Sequence, residues 1–325
     1  MDEFSIATKK GIKQSKDSLS NKTKLKIIKP PFGYFGSKAK IARHILEKLP
    51  PHNCWVEAFC GSAALTCAKQ IIAPIEVIND IDNKIVNLFT QLRNNHKELI
   101  RVIESTPYAR KELEEARLIN KGDSDLEKAR KFFIESMFAM NSVFGKSPGG
   151  FSYSQSYSRN GKDARVNRWN NLPDRLKILC ERFKNVRIEN MDGIKILKMF
   201  TNRPATLIYL DPPYLGNRTS GYNHDTNDEK YHEELLKTAN EANCMIFISG
   251  YQSDLYDDLL SSNNGWTKKS IDTFTKVDDG QIHHKRTELL WMNRQFQEAI
   301  GLDEAPIVLS EKERKENKLN PIRKF

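Results

Sequence analysis

Short apolar runs that end in a polar residue alternate with helical patterns in two separate stretches of this sequence. The runs have the length of strands that are buried on both faces, and they lie at 55–59, 75–78, 186–188, 206–210 and 245–248. Alternating strand and helix units fold into a mostly parallel sheet that helices cover. Two later runs, 266–271 and 288–292, predict an antiparallel pair that closes the sheet. We therefore predict an α/β fold with a mostly parallel sheet.

The segment between the two alternating stretches has a different character, which indicates an insertion. It begins with helical patterns at 112–119 and 126–144 and continues as a long, loop-like stretch at 145–172. A chain of 325 residues is long enough for one α/β core and such an insert. The predicted parts are a disordered basic tail at 1–29, a sheet domain formed by 30–105 and 183–297, a largely helical insert at 106–182, and a polar tail at 298–325.

The charge balance indicates a polyanionic partner. The formal net charge is +10, which favours nucleic acid as that partner. The five cysteines are odd in number and form no Cys-x-x-Cys pair, which argues against a disulfide framework and against a structural zinc site. We expect no metal and a reducing, cytoplasmic location. No apolar run is long enough to span a membrane, and none follows the lysine-rich N-terminus as a signal peptide would require.

Four residues with distinctive chemistry directly follow the predicted strand at 206–210: Asp211, Pro212, Pro213 and Tyr214. The acid therefore lies at the carboxyl end of a strand, where open α/β sheets bind their ligands. Two consecutive prolines fix φ at both positions and remove two backbone donors. The predicted turn is rigid and presents a carboxylate, the Pro212 carbonyl and an aromatic ring.

This set of groups suits methyl transfer to an exocyclic amino group of a nucleobase. The lone pair of such an amine is conjugated into the ring, so the nitrogen is a poor nucleophile. The Asp211 carboxylate and the Pro212 carbonyl can bind its two hydrogens and draw the nitrogen toward a tetrahedral shape. The Tyr214 ring can stack on a base that has left the helix. The alternative interpretation is an ordinary Asp-Pro turn after a core strand.

A second turn with ligand-binding character, at 57–62, connects the first predicted strand to a helix predicted at 63–72. Gly61 lets the backbone approach a ligand closely, although the turn has no Gly-x-Gly-x-x-Gly fingerprint. Asp80 ends the next strand about twenty residues later, where an acid commonly binds ribose hydroxyls. Asp82 competes for that role or caps the following helix. Gly61 and Asp80 together indicate a ligand that contains adenosine.

The loop at 31–38 adds an aromatic residue, Tyr34, and a cation, Lys38, at the start of a helix. A consistent order runs along the chain: this loop, Phe59-x-Gly61, Asn79-Asp80, a variable insert and Asp211-Pro212-Pro213-Tyr214. In that order the chain resembles the Dam-type DNA adenine-N6 methyltransferases. The segments 249–251 and 286–291 also resemble this family, so the resemblance spans residues 31–293.

The resemblance implies an enzyme that depends on S-adenosylmethionine and methylates adenine N6 at specific sites in duplex DNA. It implies a Rossmann-like methyltransferase sheet with an inserted target-recognition domain. The catalytic residues that it implies are Asp211, Pro212, Pro213 and Tyr214. The implied cofactor-binding residues are Tyr34, Lys38, Glu57, Phe59, Gly61, Asp80, Asp192 and Asp211. Of these, Tyr34 and Lys38 would contact the methionine end, Asp80 the ribose and Asp192 the adenine.

The sequence departs from the family pattern at three places. Tyr34 stands where many members carry tryptophan, and Ala63 stands where the turn usually has a second glycine. The stretch 141–157 only faintly resembles the recognition hairpin of the members that methylate GATC. The resemblance therefore implies cofactor binding but does not imply GATC as the recognition site.

The loop-like part of the insert has the composition of a nucleic-acid interface. Between residues 141 and 172 Asp163 is the lone acid, and aromatic residues interleave with the basic ones. The residues predicted to bind DNA are Lys146, Arg159, Lys162, Arg165 and Arg168. Arginine can contact guanine edges or phosphates, and lysine mostly contacts phosphates. An aromatic side chain can fill the gap that a flipped adenine leaves.

Two other functions fit many of the same residues. Cytosine N4 is also an exocyclic amine, so the same chemistry would serve a cytosine-N4 methyltransferase. A noncatalytic DNA-binding relative that acts as a regulator would need the basic insert, but it would not need Asp211 or Pro212. Double-stranded DNA is the expected partner of the chain, with a cognate restriction endonuclease as a second one. A monomer is the expected oligomeric state.

Overall fold

The computed structural model of the protein describes residues 27–33, 37–118, 120–140, 149–153, 158–159, 161–215, 228–277 and 282–306. The strands are β1 (Cys54–Glu57), β2 (Ile75–Asn79), β3 (Ser158–Arg159), β4 (Lys162–Asp163), β5 (Val186–Glu189), β6 (Thr206–Leu210), β7 (Met245–Gly250), β8 (Thr267–Val277) and β9 (Ile282–Met292). The α-helices are α1 (Ala42–Leu46), α2 (Ala64–Ala68), α3 (Asn83–Asn94), α4 (His96–Glu104), α5 (Arg110–Ala116), α6 (Asp125–Phe138), α7 (Ala164–Asn170), α8 (Leu172–Phe183), α9 (Gly193–Phe200), α10 (Glu229–Asn240), α11 (Asp254–Leu259) and α12 (Arg294–Ala299).

Seven strands form one sheet in the order β5-β2-β1-β6-β7-β9-β8. The first five are parallel to one another, and β9 pairs antiparallel with both β7 and β8. Every residue of β1, β6 and β7 is buried, as expected for strands in a sheet that helices cover on both faces. The predicted α/β fold with a mostly parallel sheet is confirmed, and the closing antiparallel pair is longer than the sequence predicted.

The order of the strands reverses in the middle of the sheet. From β1 the chain proceeds outward to β2 and β5, and it then returns to the other side of β1 as β6. Glu57 at the end of β1 is paired with Tyr209 in β6. The loops that leave these two strands therefore border one crevice at the carboxyl edge of the sheet, which is where open α/β sheets bind ligands.

The helices of the insert share a hydrophobic core with the sheet. Phe133 of α6 and Trp169 of α7 belong to one continuous apolar cluster with Ile78 of β2, Phe89 of α3 and Phe183 of α8. A second cluster lies against α9, α10 and α11. The insert is therefore packed on the sheet through its own apolar side chains, and it is not attached by its connecting segments alone.

The helix predicted at 126–144 is shorter in the structure. α6 ends at Phe138, and Ala139 forms an antiparallel β-bridge with Phe151. The Met140 N–H donates to the Gly150 carbonyl at 2.8 Å. This backbone pairing takes the place of the last predicted helical turns. The apolar periodicity, which continues past Phe138, did not predict it.

The stretch predicted as a loop at 145–172 contains regular structure. β3 and β4 form a two-stranded hairpin, and α7 follows it. Asp163 caps α7, because its Oδ1 accepts the backbone N–H groups of Arg165 at 2.7 Å and Val166 at 3.1 Å. Aspartate is a favoured residue at the start of a helix. The helix was not predicted, because the polar composition of the stretch favoured a loop.

The helix predicted at 63–72 covers only Ala64–Ala68. Lys69 leaves the helix in an extended conformation, and its Nζ pairs with the buried Glu76 carboxylate at 3.2 Å. Ile71 and Ile72 are exposed as a result. The helix thus ends where Lys69 turns to pair with the following strand, a contact that periodicity does not reveal.

The last described element is α12, whose residues Phe296 and Ala299 are buried against the sheet. Packed structure therefore extends beyond the boundary that was predicted at residue 297. The predicted tails at 1–29 and 298–325 lie mostly outside the described residues. Among the helices of the described ranges, none is both long enough and apolar enough to cross a membrane.

Candidate active site

The turn between β1 and α2 contains two residues with positive φ. Gly61 has a φ of +48° and Ala63 a φ of +51°. The left-handed conformation costs a residue with a Cβ about 1 kcal/mol or more, which explains why glycine is usual at the position of Ala63. The Ala63 N–H donates to the Cys60 carbonyl at 2.6 Å and closes the turn.

Asp80 follows β2 and contacts this turn. Its Oδ2 accepts the Gly61 N–H at 2.8 Å, and its Oδ1 accepts the Asp82 N–H at 2.9 Å. Burial raises the pKa of Asp80 to about 6 despite these donors. Asp82 caps α3 instead, because its carboxylate accepts the Lys84 N–H at 2.8 Å. The sequence left Asp80 and Asp82 as alternatives for the ribose-binding acid. In the structure Asp80 lies at the Gly61 turn, and Asp82 lies at the start of α3.

Glu57 ends β1 and is buried. Its Oε2 accepts the Thr66 N–H at 2.9 Å and the Thr66 hydroxyl at 2.5 Å. Desolvation raises the pKa of Glu57 to about 7, and the nearby charge of Asp211 contributes in the same direction. Glu57 therefore changes its charge near neutral pH.

Asp211 has a partner on each carboxylate oxygen. Lys38 Nζ lies 2.9 Å from Oδ2, and the Ser249 hydroxyl donates to Oδ1 at 2.8 Å. The Lys38 side chain is only 3% exposed, so its charge is held inside the crevice. A carboxylate has about four lone-pair positions, and Asp211 therefore keeps acceptor capacity for a substrate amine. Pro212, which follows, is buried, and Pro213 is half-buried.

Tyr214 lies beside Lys38, with the Nζ atom 4.9 Å from its ring centre. Lys38 Nζ donates to the Tyr214 hydroxyl at 2.5 Å, and this hydroxyl also hydrogen-bonds with Glu288. The Glu288 carboxylate lies 3.8 Å from Lys38 Nζ. The Tyr251 ring meets the Tyr214 ring edge-on at 4.6 Å. The crevice therefore includes Glu288 and Tyr251, which lie in the segments 286–291 and 249–251 and to which the sequence assigned no role.

Phe59 and Asp192 lie near the turn between β5 and α9. A Cβ added to Gly193 would lie 2.1 Å from the Phe59 ring, so only glycine allows this close packing. Asp192 caps α9 by accepting the Ile194 N–H at 2.9 Å, and it also hydrogen-bonds with Tyr231.

Asn79 ties this turn to the one after β1. Its side-chain amide donates to the Ala58 carbonyl at 2.8 Å and to the Met191 carbonyl at 3.0 Å. Its Oδ1 accepts the Met191 N–H at 3.0 Å. One buried side chain therefore holds together the loops that carry Gly61 and Asp192.

Three of the predicted DNA-binding residues are described with their side chains, and they lie in the insert. Lys162, Arg165 and Arg168 are exposed on β4 and α7. For Arg159 the structure describes the backbone in β3, and Lys146, like the predicted cofactor residue Tyr34, lies outside the described residues.

Arg110 extends this basic surface although the sequence did not single it out. Its guanidinium lies 5.0 Å from the centre of the Phe151 ring and 5.9 Å from that of the exposed Tyr153 ring. Arg110 starts α5, far from the aromatic stretch in sequence, so only folding brings it there.

These features are those of a known family. Residues 34–274 match the D12 class of N6 adenine-specific DNA methyltransferases. The chain belongs to this family. It is an enzyme that transfers a methyl group from S-adenosylmethionine to adenine N6 in DNA.

Individual relatives of this methyltransferase are distant. The type II methyltransferase M1.LlaDCHI of Lactococcus lactis subsp. cremoris is 22% identical over 268 residues, which are 76% of this chain and 89% of that protein. The rRNA methyltransferase aviRa from Streptomyces viridochromogenes is 14% identical with a TM-score of 0.33, over 82% of this chain and 89% of that one. A methyltransferase from Geobacter sulfurreducens is 11% identical with a TM-score of 0.32, over 89% of this chain and 87% of that one.

The residues of the crevice fit S-adenosylmethionine. Glu57, Asp80, Asp211 and Glu288 give the crevice an acidic character that suits a ligand with a sulfonium and an ammonium group. Gly61, which has a positive φ, has no Cβ that would keep a ligand away from the backbone of the turn. No group of three or more His, Cys, Asp or Glu side chains in the described ranges is arranged to hold a metal ion.

Proposed function

We propose that this methyltransferase acts on an adenine that has left the duplex, and that Asp211 and the Pro212 carbonyl accept the two hydrogens of its N6 amine. The observation that carries the proposal is the pinned Asp211 carboxylate, which Lys38 and Ser249 hold from both sides. A carboxylate that is already oriented loses little entropy when it binds the amine.

S-adenosylmethionine, when bound, would supply an electrophilic methyl carbon on a sulfonium sulfur, and the neutral thioether would be the leaving group when N6 takes the methyl group. Asp211 orients the nitrogen for this displacement and disperses the positive charge that develops on it. The nitrogen becomes acidic only once it is alkylated, and its extra proton then leaves to water or through Asp211.

Within the crevice, we assign Asp80 to the ribose hydroxyls, because its buried carboxylate lies at the Gly61 turn. Phe59 and Asp192, at the turn after β5, are assigned to the adenine end of the cofactor. Glu57 is assigned to the positively charged part of the methionine end. Tyr34 keeps its predicted role there, and Lys38, predicted for the same end, is also assigned to orienting Asp211.

The insert at 106–182 is proposed as the target-recognition domain. Its support is the exposed cations Lys162, Arg165 and Arg168, together with the net charge of +10 for the whole chain. Lys146 and Arg159 remain predicted DNA-binding residues. Tyr214 is proposed to stack on the flipped adenine.

The wider biology is also a proposal. The likeness to a type II methyltransferase favours a cognate restriction endonuclease, and five buried free cysteines favour a reducing cytoplasm. A monomer is proposed as the active form. Light scattering coupled to gel filtration with and without a DNA duplex tests the oligomeric state.

The decisive experiment is single-molecule sequencing of plasmid DNA from a methylation-deficient host that expresses the wild type or Asp211→Ala. We expect N6-methyladenine at one short motif in the first sample and none in the second, while purified Asp211→Ala still binds S-adenosylmethionine. Asp257→Ala, which removes a half-buried aspartate of α11 that pairs with Lys268, is the matched control and should methylate normally. Methylation by Asp211→Ala at the wild-type level would exclude the proposed mechanism, and N4-methylcytosine in the wild-type sample would exclude adenine as the target.

A further inference from the structure

We propose that Tyr209 and Ser249 form a hydrogen-bonded relay that positions the Asp211 carboxylate for methyl transfer. The relay runs from the Tyr209 hydroxyl through the Ser249 hydroxyl to Asp211 Oδ1. The inference rests on the proposed role of Asp211, and it makes Tyr209 and Ser249 positioning residues, which act through Asp211 without touching the substrate.

The register of the sheet creates the relay. β6 and β7 are parallel neighbours in which Leu210 is paired with Ile248. Extending this register by one residue brings Ser249 alongside Asp211. Residues two apart on a strand share a face of the sheet, so Tyr209 lies on the same side as Asp211. The Tyr209 hydroxyl is 2.7 Å from Ser249 Oγ, which in turn is 2.8 Å from Asp211 Oδ1.

The available protons determine the direction of these hydrogen bonds. Ser249 has one hydroxyl proton and donates it to Asp211, because an ionised carboxylate can only accept. Tyr209 must therefore donate to Ser249 Oγ. Burial raises the pKa of Tyr209 well above its usual range, so this proton is retained at neutral pH.

Burial also isolates the relay from water. Tyr209 is 1% exposed and Ser249 is 0% exposed. The Tyr209 ring is held by the Phe247 ring, with 4.8 Å between the ring centres. A hydroxyl on a packed ring has little freedom, and the hydrogen bond it gives to Ser249 polarises the next one. The core of the sheet thus sets the position of Asp211 Oδ1.

The relay and Lys38 together fix the plane of the carboxylate. Ser249 holds Oδ1 and Lys38 holds Oδ2. Hydrogen bonds to an ionised group are roughly twice as strong as neutral ones, so both contacts also favour the charged form that accepts the amine hydrogens. Without the Ser249 hydroxyl, Asp211 keeps its charge partner but can rotate about that single contact.

The test is steady-state and single-turnover kinetics of Tyr209→Phe, Ser249→Ala, Ser249→Thr and the double variant Tyr209→Phe/Ser249→Ala. We expect kcat to fall about tenfold in Tyr209→Phe and up to about a hundredfold in Ser249→Ala, as misplaced catalytic groups do. The KM for DNA and the Kd for S-adenosylmethionine should stay close to the wild-type values. Ser249→Thr keeps the hydroxyl and should keep most of the activity.

A double-variant comparison separates positioning from a merely structural role. The double variant should be no slower than Ser249→Ala, since both changes break one chain. Losses that multiply in the double variant would overturn the relay.

Tyr256→Phe is the matched control. The Tyr256 hydroxyl is also buried and hydrogen-bonds with His232 Nδ1 at 2.8 Å, but it is not part of the relay. This variant should lose thermal stability and keep its kcat. A wild-type kcat in Tyr209→Phe, or equal losses in Ser249→Thr and Ser249→Ala, would overturn the proposal. If Asp211→Ala is inactive in the same assay, either of these two results rejects the relay but leaves the proposed role of Asp211 intact. If Asp211→Ala is active, the proposed function itself is rejected.

Discussion

Buried carboxylates dominate the electrostatics of the crevice at the scale of single residues. Burial raises the pKa of Glu57 to about 7 and that of Asp80 to about 6. A neighbouring positive charge favours the ionised form of a carboxyl group and lowers its pKa. Binding of a cationic ligand and release of protons are therefore linked in this site.

We expect S-adenosylmethionine to bind more tightly as the pH rises from about 5 to about 8, because Glu57 and Asp80 lose their protons in that range. A drop of one unit in either pKa on binding corresponds to about a tenfold change in Kd between the two ends of the range. Isothermal titration calorimetry in two buffers with different ionisation enthalpies measures both the Kd and the released protons.

A comparison with S-adenosylhomocysteine controls for the contribution of the sulfonium charge to this pH dependence. S-adenosylhomocysteine lacks that charge, so its affinity should depend less on pH. Glu57→Gln should remove the part of the dependence near pH 7 and leave the part near pH 6. A Kd that is constant over the range would contradict the linkage.

At the scale of elements, α7 shows how a short helix presents cations. Asp163 caps its first turn, and the buried Trp169 anchors it through a 2.8 Å hydrogen bond to the Thr106 carbonyl. While Trp169 is buried, Arg165 and Arg168 on the same helix are exposed. The helix therefore gives the proposed DNA-binding side chains a fixed position.

Neutralising both arginines, in Arg165→Gln/Arg168→Gln, should raise the KM for DNA and flatten its salt dependence. Each lost phosphate contact lowers the slope of log K against log salt by about 0.9, so the expected reduction is about 2. Fluorescence anisotropy of a labelled duplex between 50 and 200 mM salt measures the slope, a range over which such slopes are well resolved.

Lys198→Gln/Lys237→Gln is the matched control for this experiment. It removes the same net charge from α9 and α10, where both lysines are exposed and pair with surface glutamates. This variant should keep the wild-type slope. Equal slopes for the arginine variant and the wild type would contradict the proposal that α7 contacts DNA.

At the scale of the whole molecule, the insert and the sheet are joined by a buried ion network as well as by their common core. Arg182 near the end of α8 lies 2.5 Å from Glu76 of β2, and its guanidinium donates to the Thr66 carbonyl at 2.8 Å. Lys69 contacts the other Glu76 oxygen at 3.2 Å. The network ties the last helix of the insert to the strand-and-helix unit that carries the turn at Gly61, where the cofactor is proposed to bind.

Arg182→Met should lower the free energy of unfolding by about 3 kcal/mol, because it leaves the buried Glu76 with a single cation. Methionine keeps most of the aliphatic packing, so the change isolates the charge. Urea unfolding followed by circular dichroism measures the loss. Arg187→Met removes an exposed partner of Glu189 and should cost less than about 1 kcal/mol. Equal losses in the two variants would show that the buried network contributes nothing specific.

Much of the fold and the main elements of the site could be predicted from local sequence. Apolar runs such as 206–210 predicted strands because a buried parallel strand needs consecutive apolar side chains, and β6 has the predicted bounds. The motifs after these strands predicted ligand-binding turns at Gly61, Asp80 and Asp211, and their order predicted the family. The predicted family was confirmed by the match over residues 34–274.

The sequence by itself determined the sheet, the family and the chemistry of the turn at Asp211, because these depend on residue type and on spacing within one segment. Only the tertiary structure decided what surrounds that carboxylate. Lys38, Ser249 and Glu288 come from distant parts of the chain and meet through strand register and side-chain burial. After the early end of α2, Lys69 pairs with Glu76 of β2, a contact that the helical periodicity at 63–72 does not show. Contacts of this kind depend on the relative positions of the strands, which local sequence patterns do not predict.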